Sequence, residues 1–297
     1  MKIATRGSAL ARWQAERVAA LLDVPCELVI VSTRGDERRD VEIHQIGGTG
    51  VFVKEVELAV LDGRADIAVH SAKDLPSTTE AGLALAAVPE RGDPRDALVG
   101  ASLADLPTGA RVATGSVRRR AQLAGLRPDL QFTGLRGNLD TRLARVHDAG
   151  DPVDAVVVAV AALDRLGRRA EAADVLDPSV MLPQVAQGAL AVECRADDDE
   201  TRARLAVIDD ADAHRCVDAE RAFLAELGGG CDLPVGALAR LADGELAVTV
   251  LLASLDGQRV VRAHARGTDA LATGRAAAVA LLDGAGGRTL LDEGSLA

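Results

Sequence analysis

Residues 51–78 read VFVKEVELAVLDGRADIAVHSAKDLPST, and this stretch decides the fold class. A helical pattern over residues 51–65 is closed by Gly63, and the apolar run that follows has the length of a strand and ends in a polar turn. Residues 2–33 show the same order of strand, helix and strand, with Ser8 as the predicted N-cap of the helix. Continuous apolar strands that alternate with helices are typical of a doubly wound α/β domain with a mostly parallel sheet.

The same pattern starts again after residue 100 and predicts a second α/β domain. Its predicted strands and helices are strands 111–116, 130–137 and 154–160 and helices 117–126 and 138–150. Residues 183–195 predict one more strand, which can return to the first domain. Residues 34–50 are polar, charged and glycine-rich, and we interpret them as a long mobile loop.

The character of the chain changes at about residue 211. A helix over residues 213–227 precedes alternating strands with Asp-Gly turns over residues 237–267, and an Ala-rich helix ends the sequence. This order predicts a small α+β domain with antiparallel strands. We therefore expect domain 1 at residues 1–92 and 188–208, domain 2 at 93–187 and domain 3 at 209–297.

Charge and hydropathy exclude several classes of protein. The 297 residues carry 34 Lys and Arg against 45 Asp and Glu, a net charge of −11, which argues against binding to nucleic acid or to an anionic membrane. No apolar run has the length of a membrane span, and the N-terminus does not resemble a signal peptide. We expect a cytoplasmic protein.

Cysteine and histidine spacing indicates neither a disulfide framework nor a metal site. The four cysteines are Cys26, Cys194, Cys216 and Cys231, and they form no CxxC pair. The five histidines are scattered. In a cytosolic protein this pattern predicts free thiols and no bound metal.

Cations and hydroxyl groups follow the predicted strands of both α/β domains, where an open sheet binds its ligands. The side chains at these strand ends are Arg6, Ser8, Ser71, Lys73, Thr114, Ser116, Arg118, Arg119, Arg136, Arg142 and Arg165. Residues 111–145 hold eight Arg against two Asp, a local balance of +6. Because Arg meets carboxylates with paired hydrogen bonds, the pattern predicts a ligand rich in carboxylates. For Arg120, Arg127 and Arg145 a solvated helix face is the preferred interpretation.

Asp74 and Cys231 differ chemically from this cationic set. Asp74 is an ion-pair partner of Lys73, a turn-forming residue before Leu-Pro, or an acid and base aimed at a cationic intermediate. Cys231 follows three glycines in GGGCDLPVG, residues 228–236. Glycines allow the backbone to approach a bulky group, so we expect Cys231 to be accessible rather than packed in a core.

Nine stretches together resemble the hydroxymethylbilane synthase, or porphobilinogen deaminase, family. They are IATRGSALARWQA, VSTRGD, GGTGVFVKEVELAVLDGRADIAVHSAKDLPS, ERGDPRDAL, GSVRRRAQL, LRGNLDTRL, AVAALDRLG, PQVAQGALAVECR and ERAFLAELGGGC. They run in the family's order over about residues 2–236. Residues beyond this range match only in length and pattern.

The resemblance implies a cytoplasmic, monomeric transferase. It condenses four porphobilinogen molecules into a linear tetrapyrrole and releases ammonia at each step. The implied cofactor is a dipyrromethane joined to Cys231 through a thioether, and the first two domains are expected to resemble type II periplasmic binding proteins. Asp74 is the implied catalytic residue, protonating the leaving amine, stabilising the azafulvenium cation and assisting loss of the pyrrole proton.

The resemblance also divides the cationic side chains into two groups. The implied cofactor-binding residues are Ser71, Lys73, Thr114, Ser116, Arg118, Arg119 and Arg142. The implied substrate-binding residues are Arg6, Ser8, Arg136, Arg142 and Arg165. Two positions depart from the family pattern: Thr49 stands where a loop Lys is common, and Gly228 where many members have Glu.

Two other functions compete with this interpretation. A binding protein for a small polycarboxylate on the same fold needs the arginines but neither Asp74 nor Cys231. A cysteine-nucleophile acyltransferase needs a His near Cys231, and no His lies near it in the sequence. The mass of the intact protein distinguishes the family interpretation from both alternatives, because only a porphobilinogen deaminase carries a covalent dipyrromethane.

Overall fold

Two five-stranded sheets carry the first two thirds of the chain. The computed structural model describes residues 1–33, 53–228 and 233–292. The first sheet has the order β2-β1-β3-β10-β4 and contains β1 (Lys2–Arg6), β2 (Glu27–Val31), β3 (Ile67–Ser71), β4 (Leu83–Ala87) and β10 (Leu190–Arg195). The second has the order β7-β6-β8-β5-β9 and contains β5 (Asp96–Val99), β6 (Arg111–Ala113), β7 (Gln131–Thr133), β8 (Ala155–Ala159) and β9 (Ala172–Leu176). We call these sheets, with their helices, the first and second units.

Both sheets are mostly parallel, as predicted, and each contains one antiparallel strand. In the first unit β10 runs antiparallel to β3 and β4, and in the second unit β5 runs antiparallel to β8 and β9. The prediction that residues 183–195 return to the first sheet is confirmed, although the strand itself begins only at Leu190. Strands β4, β5 and β9 were not predicted.

The antiparallel strands bring their first residues to the edge where the parallel strands end. Leu190 of β10 lies opposite Ser71 of β3, and Asp96 of β5 lies opposite Ala159 of β8. Residues that precede or begin β5 and β10 therefore share one edge of the molecule with the carboxyl ends of β3 and β8.

Six helices cover the two sheets within the described residues. They are α1 (Ala9–Leu22), α2 (Lys54–Leu61), α3 (Val117–Leu126), α4 (Leu139–Ala144), α5 (Val160–Arg165) and α6 (Asp199–Leu205). The predicted N-cap Ser8 is confirmed, because its Oγ accepts from the backbone N of Ala11 at 3.2 Å. Ser116 caps α3 in the same way, through the backbone N of Arg119 at 3.4 Å. The predicted helix 138–150 is shorter than expected and ends in a 3-10 turn at residues 145–147.

The third unit packs helices against an antiparallel sheet, as predicted, but it has three helices where the sequence indicated two. Its elements are α7 (Ala211–Glu226), β11 (Val235–Ala242), β12 (Glu245–Ala253), β13 (Val260–Gly267), α8 (Ala270–Val279) and α9 (Gly287–Asp292). Phe223 of α7 is fully buried in its core. Helices α7 and α8 approach closely at Gly274, where a Cβ would lie 2.1 Å from the carbonyl oxygen of Ala219.

A buried ion pair fastens the third unit to the rest of the chain. Nη1 of Arg91 donates to Oε1 of Glu220 on α7 at 2.7 Å, and Glu220 is fully buried. The Glu220 carboxylate also accepts from the backbone N of Ala186 at 2.6 Å and from that of Ala239 at 2.8 Å. Both oxygens of this carboxylate are thus used for holding α7 in place.

Membrane, metal and disulfide features can be stated for the described residues. No helix among them is long and apolar enough to cross a membrane. No group of three His, Cys, Asp or Glu side chains is arranged there to hold a metal ion. Cys26, Cys194 and Cys216 are free thiols. The predicted mobile loop 34–50, including Thr49, lies outside the described residues.

Candidate active site

Two neighbouring cavities lie at the edge where the parallel strands end. The first is open to solvent and is lined by Arg6, Ser8, Gln14, His70, Ser71 and Asp74 among others. The second is also open to solvent, and its polar lining consists of Lys73, Ser77, Ser116, Arg118, Gln184 and Arg221. Asp74 and Lys73 are adjacent in the sequence but line different cavities, so the turn that follows β3 supplies one charge to each.

The carboxylate of Asp74 faces cations from the second unit. Asp74 lies in a 3-10 turn (Ala72–Asp74) directly after β3. Burial lowers the pKa of Arg142 to about 10, with a further lowering by Arg119, and the negative charge of Asp74 opposes this shift. Burial also lowers the pKa of Arg165 to about 10, and Asp74 again opposes it. Asp74 therefore interacts electrostatically with guanidinium groups from both α4 and α5.

Lys73 is held between charges of both signs. Its Nζ donates to Oε1 of Gln187 at 3.3 Å. Burial and the neighbouring charge of Arg119 lower the pKa of Lys73 to about 8, while Asp74 and Asp96 act in the opposite direction. An ammonium group with such a pKa gains protonation when a further anion approaches, which suits a binding site for carboxylates.

Arg118 and Arg119 share one buried carboxylate. Nη1 of Arg118 lies 2.8 Å from Oδ2 of Asp96, and Nη2 of Arg119 lies 2.7 Å from Oδ1 of the same residue. Burial alone would raise the pKa of Asp96, but the two guanidinium groups outweigh it and hold that pKa far below its ordinary range. The cluster keeps one net positive charge, and Arg119 also donates to the carbonyl oxygen of Val157 at 2.8 Å.

Gln187 connects this cluster with Lys73. The side chain of Gln187 is fully buried, and its Nε2 donates to Oδ1 of Asp96 at 2.9 Å and to the carbonyl oxygen of Pro94 at 2.7 Å. Its Oε1 accepts from Lys73 and, at 3.5 Å, from Nη2 of Arg119. One amide thus orients cations from both α/β units.

The remaining hydroxyl groups are fixed by local hydrogen bonds. Oγ of Ser71 accepts from Nε2 of Gln14 at 2.8 Å beside the first cavity. Oγ1 of Thr114 accepts from the backbone N of Ser116 at 3.2 Å and shapes the turn between β6 and α3. Ser8 and Ser116 stand at the starts of α1 and α3, where free backbone N–H groups favour anions.

Four predicted arginines come from different elements, and one of them, Arg6, lines the first cavity. Arg6 ends β1 and lines the cavity, and both Arg6 and Arg136 lower the pKa of Arg142. Nε of Arg142 donates to the carbonyl oxygen of Gly137 at 2.9 Å. Arg165 donates to the carbonyl oxygen of Gly188 at 2.7 Å, and its guanidinium lies 5.9 Å from the ring centroid of Trp13. The structure therefore gathers the predicted cations around Asp74 and Lys73.

Cys231 lies outside the described residues, but the chain on both sides of it reaches the second cavity. Leu224 of α7, before Cys231, and Leu233 and Val235, after it, contribute to the lining. Gly228 follows α7 with φ at +64°, and its backbone N donates to the carbonyl oxygen of Ala225 at 3.0 Å.

Asp96, Gln187 and Arg221 were missed by the inspection of strand ends. Asp96 begins an antiparallel strand and Gln187 shortly precedes another, so their side chains reach the same edge from strand starts. The missing signal is strand direction, which the sequence pattern does not give. Arg221 was missed because it lies in a helix of the third unit and not at a strand end.

The fold and the site together define a class: α/β proteins with a cationic cleft between two doubly wound units. Within that class, the chain belongs to the porphobilinogen deaminase family, a family of transferases. The family model described as "Porphobilinogen deaminase, dipyromethane cofactor binding domain" matches residues 1–203, and the model of the C-terminal domain matches residues 214–283.

Relatives match over nearly the whole chain. The porphobilinogen deaminase of Xanthomonas euvesicatoria pv. vesicatoria is 48% identical over 293 residues, covering 95% of this chain and 96% of the relative. That of Syntrophobacter fumaroxidans is 43% identical over 303 residues, covering 99% and 97%. An ancestral cationic amino acid solute binding protein is 13% identical with a TM-score of 0.39, covering 77% of this chain and 90% of that one. The predicted family membership and transferase class are confirmed, and the polycarboxylate-binding alternative is not supported.

Proposed function

We propose that the chain condenses four porphobilinogen molecules into the linear tetrapyrrole hydroxymethylbilane, with release of one ammonia at each step. The observation that carries this proposal is the set of cations from both α/β units around the carboxylate of Asp74. Porphobilinogen carries an acetate and a propionate side chain on each pyrrole ring, so a growing chain of such rings needs many cations. The carboxylate of Asp74 lies among those cations and is suited to serve the reacting centre.

The first cavity is the proposed substrate site. Arg6 and Ser8 line it together with Asp74, whose charge acts on Arg142 and Arg165 of the second unit, and Arg136 acts on Arg142. Their guanidinium groups bind the substrate's two carboxylates and place its aminomethyl group toward Asp74. Charge-assisted bonds of this kind contribute roughly 1.5–3 kcal/mol each.

Asp74 is the proposed acid and base. It donates a proton as the carbon–nitrogen bond of porphobilinogen breaks, so that the amine leaves as ammonia. Its carboxylate then stabilises the azafulvenium cation that remains. After the new carbon–carbon bond forms, Asp74 accepts the proton lost from the attacked ring carbon, and this returns it to its starting state.

The second cavity suits a dipyrromethane. It combines cationic and hydroxyl groups (Lys73, Ser116 and Arg118) with apolar walls (Leu75, Val185, Leu224 and Leu233). Nε and Nη2 of Arg118 are buried and have no hydrogen-bond partner among the described residues, so they offer two donors to a carboxylate. When bound, the dipyrromethane supplies the pyrrole carbon to which the first substrate is joined.

Cys231 is the proposed covalent anchor of this group. The chain segments on either side of Cys231 contribute to the second cavity, which supports attachment there. The remaining residues proposed to hold the dipyrromethane are Ser71, Thr114, Arg119 and Arg142. For Arg119 the support is indirect, since its guanidinium is engaged with Asp96 and acts by fixing the charge beside Lys73.

The domain boundaries, the cellular location and the oligomeric state are also proposed. The domains are taken to span residues 1–92 with 188–208, residues 93–187 and residues 209–297. The protein is proposed to act as a cytoplasmic monomer without nucleic-acid or membrane partners. Sedimentation of the purified protein at micromolar concentration checks the monomeric state.

The mass of the intact protein tests the proposed function. Freshly purified protein is expected to carry an adduct of dipyrromethane mass and to convert porphobilinogen to hydroxymethylbilane. Cys231→Ser is expected to lack both the adduct and the activity. Cys194→Ser is the matched control, because Cys194 is buried in β10, and it is expected to keep both. An unmodified wild-type chain that leaves porphobilinogen unchanged would refute the proposal.

A further inference from the structure

Arg221 brings a guanidinium group of the third unit into the second cavity. It lies on α7, and only 7% of the residue is exposed. The same cavity is lined by Lys73, Ser116 and Arg118 from the other two units. All three units therefore contribute a cation or a hydroxyl group to one space.

The hydrogen bonds of Arg221 leave one nitrogen of its guanidinium without an acceptor among the described residues. Nη2 donates to Oγ1 of Thr79 at 3.2 Å. Nη1 is buried and has no hydrogen-bond partner among the residues that the structure describes. The neighbouring carboxylate of Glu220 is already occupied by Arg91 and two backbone N–H groups. Buried donors are nearly always paired, so this nitrogen indicates an acceptor that enters the cavity.

Arg118, from the second unit, also has buried donors without an acceptor among the described residues. Its Nη1 is used by Asp96 and by the carbonyl oxygen of Leu182 at 2.7 Å, whereas Nε and Nη2 lack partners within the described part of the chain. Two buried arginines thus line one cavity with unused donors, and a carboxylate is the group whose oxygens accept from both.

The surroundings of Arg221 also suggest a competing role, that of a counter-ion for buried carboxylates. Burial lowers the pKa of Arg221, and the charges of Glu193, Asp218 and Glu57 oppose this shift. However, Oε2 of Glu193 lies 3.3 Å from Nε2 of His70, and no hydrogen bond joins Glu193 to Arg221 among the described residues, so Nη1 of Arg221 still lacks an acceptor.

We propose that Arg221 and Arg118 together bind a carboxylate side chain of the dipyrromethane, so that the bound group joins the third unit to the second. This inference rests on the proposed function. It adds to the site a residue ten positions before the proposed anchor Cys231, and it predicts that loading stabilises the protein partly through Arg221.

A thermodynamic cycle tests the inference without an activity assay. Wild type, Arg221→Gln, Cys231→Ser and the double variant are melted, and the adduct on each chain is measured by intact mass. The gain in melting temperature on loading is the melting temperature of the chain that keeps Cys231 minus that of the chain with Cys231→Ser. It is determined once with Arg221 present and once with Arg221→Gln. We expect Arg221→Gln to reduce this gain by half or more. The control is Arg215→Gln, on the same helix, whose guanidinium donates to the carbonyl oxygens of Gly244 and Thr268.

Each outcome bears on the inference. An equal gain in the Arg221→Gln and wild-type backgrounds, with both melting temperatures lowered alike, would show that Arg221 is only a counter-ion of Glu57 and Glu193. If Arg221→Gln does not fold, Arg221→Lys replaces it, since it keeps the positive charge but lacks the two separated nitrogens proposed to bind Thr79 and the carboxylate, and the same reduced gain is expected. A wild-type chain without adduct would refute the proposed function and this inference together.

Discussion

Nζ of Lys73 lies 3.3 Å from Oε1 of Gln187, and this contact links the turn that carries Asp74 to the ion-pair cluster of the second unit. The same amide donates to Asp96, which in turn holds Arg118 and Arg119. A neutral side chain thereby sets the positions of three cations.

Replacement of Gln187 by Leu is expected to lower both stability and cofactor loading. The change removes the donor to Asp96 and the acceptor of Lys73 in a fully buried position. A buried group left without its partner costs about 1–3 kcal/mol, which urea unfolding can measure. Gln258→Leu, at an exposed position, is the control. Unchanged stability and adduct yield in Gln187→Leu would contradict the role given to this amide.

Asp74→Asn is expected to keep the fold and lose turnover. The amide preserves the size of the side chain but neither its charge nor its proton exchange. Positioned acid–base catalysis is worth on the order of 10²–10⁴-fold in rate, and the loss of cation stabilisation adds to this. The variant is reconstituted with preformed tetrapyrrole, because the same chemistry builds the cofactor, and turnover and melting temperature are then compared with wild type. Turnover within about threefold of wild type would make Asp74 a structural turn residue.

Arg119→Leu is expected to reduce adduct yield more than Arg127→Leu does. Arg119 is buried, pairs with Asp96 and contributes to the electrostatic environment of Lys73. Arg127 pairs with Asp129 at 2.7 Å near the end of α3, away from both cavities. The fraction of modified chain in the intact-mass spectrum measures the difference. Equal yields would mean that the cationic cleft lies elsewhere.

Glu57→Gln is expected to stabilise the protein at pH 8 and to flatten its dependence on pH. Burial, together with the charge of Glu193, raises the pKa of Glu57 from 4.5 to about 7. An acid with a raised folded-state pKa contributes stability below its unfolded pKa, and this contribution is lost as pH rises through about 7. The neutral amide removes that loss, on the order of 1–3 kcal/mol.

Urea unfolding at pH 5 and at pH 8 checks this expectation. Glu55→Gln, on the same helix, is the matched control for the removal of one carboxylate charge from α2. A difference between Glu57→Gln and wild type that is the same at both pH values would show that ionisation of Glu57 does not control stability in this range.

The sequence by itself determined the fold class and most of the cationic set. Alternating strands and helices are local patterns, since period and capping residues such as Ser8 and Ser116 act within one turn of the chain. Arg6, Lys73 and Arg118 could be assigned to the site because parallel strands end at a common edge. Long motifs such as GGTGVFVKEVELAVLDGRADIAVHSAKDLPS carried the family resemblance, which the comparisons confirmed.

Only the tertiary structure decided which charges neutralise one another and which remain for a ligand. Asp96 and Gln187 reach the site because β5 and β10 run antiparallel to their neighbours, and strand direction depends on long-range pairing, not on local pattern. Arg119 forms a buried ion pair with Asp96 there, while Arg118 keeps two donors without a partner among the described residues. Arg221 looks like an ordinary helical residue in the sequence and enters the second cavity only through the docking of α7. These outcomes depend on burial and on distances in three dimensions, because both set the electrostatic energy of a charged group. The spacing of residues along the sequence gives neither.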